Sequence, residues 1–398
     1  MKLKIIGIVG LLAITTGCKK NNNPAPPPSD PKISISEVTK PEGNSGTTNF
    51  EFQIILDHAS TKQVTVQYST LEGWAKNNED FTAVTDQVLT FLPNETVKKI
   101  IINVITDDLK EGDDDFSVKI KNPVNASITK ETAIGRITND DTKVNFSNTG
   151  YDAPTSYTGY SLVWADEFNA ASLDASAWNY DIGDGCPNIC GWGNNELEYY
   201  TSRPDNIFFQ DGKMLIEAKK ESYNGKQYTS TKIKTEGKKT FKYGRIDIRA
   251  KLPKGKGIWP ALWMLPQSNV HGGWPRSGEI DIMEMVGHEP NKVYATLHFG
   301  PGPGSIQISR NYVLNTGTFF DQFHVFSLEW KQNELKWFID GNLYSTVSST
   351  DLGANTYPFN EQFFFIINLA VGGNWPGSPD PTTYFPQWLI VDYVRVYQ

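Results

Sequence analysis

Glu279, Asp281 and Glu284 stand within one short run, Glu279-Ile280-Asp281-Ile282-Met283-Glu284, and tryptophans flank it on the N-terminal side. Cleavage of a glycosidic bond usually takes two carboxyl groups. One delivers a proton to the leaving oxygen, and the other attacks or stabilises the oxocarbenium-like centre. Sugar rings also need flat aromatic faces to lie on. Read as a strand, the run places Glu279, Asp281 and Met283 on one face and Ile280 and Ile282 on the other. Strict alternation sends Glu284 into the apolar layer, where an ionised carboxylate costs several kcal/mol or loses its charge. The pattern therefore predicts an extra residue near Ile282-Met283, a β-bulge, which is a common device beside active sites. Four effective steps leave the glutamate α-carbons about 13 Å apart. The two side chains must then converge across a concave face to reach the roughly 5 Å spacing of a retaining enzyme. A solvated strand face is the alternative for three acids. Like charges two positions apart repel, however, and no lysine lies among them to relieve that.

The elements that must hold these acids read as strands. Beyond residue 158, apolar and polar residues alternate in Met214-Ala218, Tyr243-Leu252, Val293-Phe299, Val325-Trp330, Leu335-Ile339, Phe363-Leu369 and Trp388-Val396. Asp340-Gly341 is a two-residue hairpin signal. No segment longer than about two turns has a helical apolar period, so an antiparallel β-sandwich is expected. From Lys32 to Thr142 seven shorter strand-like segments recur, beginning with Lys32-Val38 and ending with Ala133-Thr138, and predict a smaller immunoglobulin-like sandwich. The expected organisation is a signal segment over 1–18, a Pro/Asn-rich tether over 19–31, a first sandwich over 32–142, a linker over 143–158 and a catalytic sandwich over 159–398.

The acidic run, with Gly257-Ile258-Trp259-Pro260-Ala261-Leu262-Trp263-Met264 ahead of it, resembles glycoside hydrolase family 16, in the laminarinase branch. Trp164-Ala165-Asp166-Glu167-Phe168, Gly193-Asn194-Asn195-Glu196-Leu197-Glu198-Tyr199-Tyr200 and the closing Asp392-Tyr393-Val394-Arg395-Val396-Tyr397 extend the match over Leu162 to Gln398. The resemblance implies a jelly roll, with Glu279 as nucleophile, Glu284 as acid/base and Asp281 orienting Glu279. It implies that Trp259 and Trp263 line the subsites on the non-reducing side. Trp274, Trp375 and Asn195 are expected to complete the cleft, and Arg249 and His298 to hydrogen-bond sugar hydroxyls or Glu284. Glu167, the Gly212 carbonyl and Asp392 match positions that hold a structural calcium in many family members, away from the cleft. Trp164, Trp330, Trp337 and Trp388 are read as core. The first sandwich, through Asp80-Phe81-Thr82, Asp107-Asp108 and Gly135-Arg136-Ile137-Thr138-Asn139-Asp140-Asp141, resembles a Calx-beta domain. Its acids Glu42, Asp107, Asp108, Asp113, Asp140 and Asp141 are candidate oxygen ligands for calcium.

The expected activity is endo-acting, retaining hydrolysis of β-1,3-glucan of the laminarin type, extending to mixed-linkage chains, with no cofactor for catalysis. Agar or carrageenan hydrolysis on the same fold, and glucan binding without catalysis at a cell surface, are the alternatives. Net charge is −8 with an isoelectric point near 5.3, and no basic stripe is present, so nucleic acid is not an expected partner. The chain is expected to act as a monomer on polysaccharide. Lys2 and Lys4 precede an apolar run and small residues up to Cys18, the pattern of an export signal. Cys18 after Gly17 resembles the acylated cysteine of bacterial lipoproteins. Attachment to the outer membrane or cell surface is therefore expected, with plain secretion as the alternative. Cys186 and Cys190 are either a disulfide or a free pair in a loop. The five histidines show no metal-ligand spacing.

Overall fold

The computed structural model describes residues 29–398. The expected signal segment over 1–18, the lipidation site Cys18 and nearly all of the 19–31 tether lie outside the described residues. The described chain is strand and loop, with short 3₁₀ turns at Cys190–Gly193 and Ser349–Leu352. It divides into two compact units. One holds the described residues up to Thr39 with Asn49–Asn103 and Asp115–Gly135, and the other holds Lys40–Thr48, Val104–Asp114 and Arg136–Gln398.

The first unit contributes most of a four-stranded and a five-stranded sheet. The expected strands appear, with Lys32-Val38 broken into Lys32–Ile35 and Val38–Pro41. Apolar residues alternate inward: Phe50, Phe52 and Ile54 are buried while Asn49, Glu51 and Gln53 are not. Phe116 is the centre of this filling, with Phe81 stacked on it at 4.7 Å and Phe50 and Phe52 each at 5.9 Å. Gly135 passes so close that a β-carbon there would stand 2.6 Å from the Phe116 ring, which restricts the position to glycine.

In the second unit a seven-stranded sheet packs on a ten-stranded sheet, a jelly-roll sandwich as expected. The seven-stranded sheet runs in the order Asn179–Asp181, Lys232–Lys234, Phe363–Val371, Ile258–Pro266, Glu279–Glu284, Lys292–Phe299 and Ile306–Val313. Between the sheets lies one apolar filling that includes Ile280, Leu262, Ile367, Leu328 and Val394. Trp330 and Trp337 are fully buried in it. Trp164 packs against it, and Trp388 against a smaller cluster outside the ten-stranded sheet. At the Asp340-Gly341 hairpin both residues have positive φ, 54° and 79°, as the tight turn requires.

The segment expected as a linker over 143–158 is fastened to the second unit along its length. Val144 is buried with Leu215, Phe323 and Ile390, and its backbone exchanges two hydrogen bonds with the Gln210 amide, at 2.9 and 2.8 Å. Tyr151 N–H donates to the Phe323 carbonyl and Tyr157 Oη to Asp247. The segment is polar by composition, but its few apolar residues suffice to dock it on a sheet whose outer face also carries apolar side chains.

Candidate active site

The predicted bulge is present, and the strand registers locate it. On one side Trp263 faces Asp281 and Leu262 faces Met283, so Ile282 has no opposite number. On the other side Asp281 faces Thr296 and Glu284 faces Tyr294, three steps against two. The extra residue returns Glu284 to the open face of the seven-stranded sheet. Ile282 and Met283 both enter the apolar filling, so Met283, expected beside Glu279 and Asp281, sits in the core instead. A bulge disrupts the ladder locally, and here the Asp281 carbonyl accepts a hydrogen bond from across the sandwich, from Trp337 Nε1 at 3.0 Å. Trp337 lies on Glu334–Ile339 of the opposite sheet. Its burial was legible in the sequence, but its grip on the catalytic strand was not.

Glu279 and His298 are cross-strand neighbours. His298 Nε2 stands 3.4 Å from Asp281 Oδ2 and 3.7 Å from Glu279 Oε1, and its Nδ1 meets Ser305 Oγ at 3.1 Å. Ligand-type atoms of Glu279, Asp281 and His298 all lie within 4.8 Å of one another. Trp274, 54% exposed, donates its indole N–H to Glu279 Oε2 at 2.8 Å. Trp259 donates its own to Glu284 Oε1 at 3.1 Å. Each glutamate thus has one tryptophan donor, a role beyond the lining of the cleft expected of Trp259 and Trp274. Trp375 meets Trp259 and Tyr294 edge to face, at 5.6 and 5.0 Å, and extends the aromatic surface past Glu284. Asn195 joins it through Asn374 at 2.8 Å. Trp263 Nε1 donates to Asn368 Oδ1 at 2.7 Å. Asn368 in turn donates to Tyr200 Oη at 3.0 Å, and Tyr200 to buried Glu196 at 3.2 Å.

Arg249 is not in the cleft. It lies on Gly244–Lys251 of the ten-stranded sheet, 4% exposed, packed over the Phe323 ring at 4.4 Å and bonded to the Tyr151 carbonyl and Asn148. Ile246, Ile248 and Ala250 alternate with it and fill the core, so Arg249 points to the outer side, where it holds the 143–158 segment. Cys186 and Cys190 are joined as a disulfide.

Comparison with known proteins agrees with this geometry. Residues 194–389 match the Glycosyl hydrolases family 16 domain and residues 30–144 the Calx-beta domain. A beta-glucanase from Rhodothermus marinus is 42% identical over 250 residues, which cover 60% of this chain and 85% of that protein. The chain belongs to glycoside hydrolase family 16. A glucan endo-1,3-beta-glucosidase A1 from Niallia circulans is 44% identical over 262 residues, but the match spans only 38% of that longer protein. The structure of a laminarinase catalytic domain from Thermotoga maritima superposes with a TM-score of 0.56 at 48% identity, covering 60% of this chain and 98% of that one.

Within this family 16 cleft the three acids shape one another's ionisation. Burial and then the neighbouring charge of Asp281 push Glu279 up to about 8, against the opposing pull of His298 and the Trp274 N–H. Burial likewise pushes Asp281 to about 8. Glu284 is held well above the usual carboxylate range, by burial first and then by the charges of Asp281 and Glu279. Carboxylates this close cannot all ionise. Glu284, facing two neighbouring acids, is the one that keeps its proton. Glu279, with a histidine and an indole N–H beside it, is the better placed to hold charge. A folded-state value above the unfolded 4.5 means that the native cleft binds more protons than the unfolded chain between pH 4.5 and about 8. This cluster therefore favours folding below pH 4.5, and that contribution is lost as the pH rises through 8.

The two proposed calcium sets differ. Glu167 is bound by both arms of Arg395, at 2.7 and 2.9 Å, and Asp392 by Lys213 at 3.2 Å and by Arg249. Cations of the chain already neutralise these carboxylates, so the set implied with Gly212 does not fit a metal ion and no role is derived for one. At the other set, oxygens of Glu42, Asp140 and Asp141 lie within 4.8 Å of one another. Asp141 is 7% exposed, and its Oδ2 is buried without a hydrogen-bond partner. Burial, followed by Asp107, Glu111, Asp141 and Asp140, pushes Glu42 up to about 8. Of the other expected acids, Asp108 pairs with Lys143 at 3.7 Å and Asp113 accepts the Asn139 N–H at 3.2 Å.

The two indole donors should separate in the pH profile. Trp274→Phe removes a bond that favours ionised Glu279, so the acidic limb of kcat/KM moves to higher pH. Trp259→Phe does the same for Glu284 and moves the basic limb to higher pH. Identical profiles for both variants and the parent would rule out these assignments.

Proposed function

We propose that the protein is an endo-acting, retaining β-glucanase that hydrolyses β-1,3-linked glucan, with mixed-linkage glucan as a further substrate. The observation that carries this reading is the bulge, which returns Glu284 to the face that bears Glu279 above an aromatic floor of Trp259, Trp263 and Trp375. Glu279 attacks the anomeric carbon while Glu284 gives its proton to the departing glycosidic oxygen, leaving a covalent glycosyl ester on Glu279. Water then loses a proton to Glu284 and its oxygen displaces Glu279. Two inversions restore the starting configuration. Asp281 and His298 hold Glu279 in position and set how much charge it carries. The cleft lining is aromatic, amide and acidic, and the Lys232 ammonium at its far end lies over the rings of Trp192 and Trp263. This suits a neutral glucan better than sulfated carrageenan. Retention of both glutamates in register argues against a purely binding role.

Glu279→Gln and Glu284→Gln should each lower kcat on laminarin by about a thousandfold or more, and proton NMR of fresh product from the parent should show the β-anomer first. Near-normal turnover by either variant, or an α-anomer first, would remove the proposal.

We infer that the Glu42, Asp140 and Asp141 oxygens take a calcium ion that stabilises their loops. Titration calorimetry on the full chain should show calcium binding that Asp141→Asn abolishes, whereas a parent that gives no heat disposes of the site.

We further infer that the chain is exported and anchored through an acylated Cys18. Mass spectrometry of membrane fractions should find the lipid on Cys18 and find Cys18→Ser soluble outside the membrane. Recovery of unmodified parent in the soluble fraction would refute this.

A further inference from the structure

Lys232 sits in the seven-stranded sheet three strands from the catalytic run, about 14 Å at normal strand spacing. Its register partner is Asn368. Asn368 faces Ala261, and Ala261 faces Glu284, so all four share one row across the open face. The Lys232 ammonium lies 4.2 Å from the Trp192 ring centre and 5.1 Å from that of Trp263. Its nearest carboxylate, Asp181 Oδ2, stands at 3.8 Å, beyond hydrogen-bond reach, and Asp181 is closer to Lys234 at 2.7 Å. A lysine this buried is costly, and two indole faces, together with the charges of Asp181, Glu196 and Glu198, offset that cost.

Trp192 holds its side of this clamp under strain. Its φ of 50° and ψ of 26° are left-handed values that a bulky residue rarely adopts. Its Nε1 is also buried without an acceptor. Such costs persist where the surroundings over-determine a conformation, commonly at functional sites. Here the surroundings are the loop bonds Ile189 N–H to the Gly185 carbonyl and Gly191 N–H to the Asp184 carbonyl, both 2.8 Å, the Cys186–Cys190 disulfide and the Tyr200 ring at 5.5 Å. Trp263 is therefore fixed twice: along its edge by Asn368 and over its ring by the cation.

We propose that Lys232 and Trp192 are specificity-determining residues that lock the plane of Trp263 and thereby set how strongly the cleft holds long glucan chains. The proposal rests on the glucanase reading above. With its N–H engaged and the ammonium over its ring, Trp263 presents a sugar with one preset stacking surface. A chain that reaches this far gains affinity because no side chain has to be ordered on binding, and a shorter chain gains nothing there.

The test is steady-state kinetics of the full chain on a ladder of β-1,3-linked gluco-oligosaccharides, with melting temperatures recorded for each protein. Lys232→Met and Trp192→Ala should raise KM about tenfold for the members long enough to reach Trp263 and leave KM of the shorter ones nearly unchanged, with little change in kcat. Lys232→Arg and Trp192→Phe keep a cation and a ring in place, and should restore most of the length dependence even if the first pair is unstable. A loss equal at every length, no loss at all, or no recovery in the conservative variants overturns the proposal. Failure of the parent to cleave any member refutes the glucanase reading itself, a result distinct from the others.

Discussion

One surplus residue in a six-residue strand decides whether this sandwich has a working cleft. Without it the alternation of the strand would bury Glu284 beside Ile280, and the chain would carry one glutamate on the open face and the other in its core. With it, both glutamates look outward, while the irregular backbone needs a new partner for a displaced carbonyl. Trp337 supplies that partner through the middle of the apolar filling. The catalytic strand is thus fixed from behind by the opposite sheet, which ties the chemistry to the packing of the whole unit rather than to a surface loop.

The same economy governs charge. Three acids on one strand would repel one another into the unfolded state if each stayed ionised, and the protein answers with burial, a histidine and two indole N–H groups. Indoles serve well here because they donate a hydrogen bond without adding a charge, and their faces remain available to sugar. Trp259 and Trp274 each combine the two capacities, so the groups that adjust the acids also line the cleft.

Much of this could be read from the chain. The bulge was legible because a carboxylate and an apolar layer are incompatible, a conflict visible in six residues. The strands were legible from their period of two, and the Asp340-Gly341 turn from its need for positive φ. What stayed hidden depends on which surfaces meet. Arg249 alternates correctly with Ile248 and Ala250, yet alternation cannot say which side of which sheet faces the sugar, and the residue turned out to grip the 143–158 segment. That segment looked like a spacer because composition does not show that Val144 has a ready apolar partner in Phe323. Lys232 and Trp192 lie forty residues apart and carry no local pattern, and only the fold of the 184–196 loop over the sheet brings them together.

The strand in the middle of the ten-stranded sheet, Gln387–Tyr397, lies between Lys213–Tyr223 and Gly244–Lys251 and also pairs with Leu162–Asp166. All of its neighbours are made much earlier in translation. A nascent chain that lacks this strand has two half-sheets with open edges and nothing to join them, so the platform that backs Trp337 is incomplete until it arrives. The native cleft therefore depends on pairing between distant parts of the chain, the kind of long-range contact that generally forms more slowly than local ones.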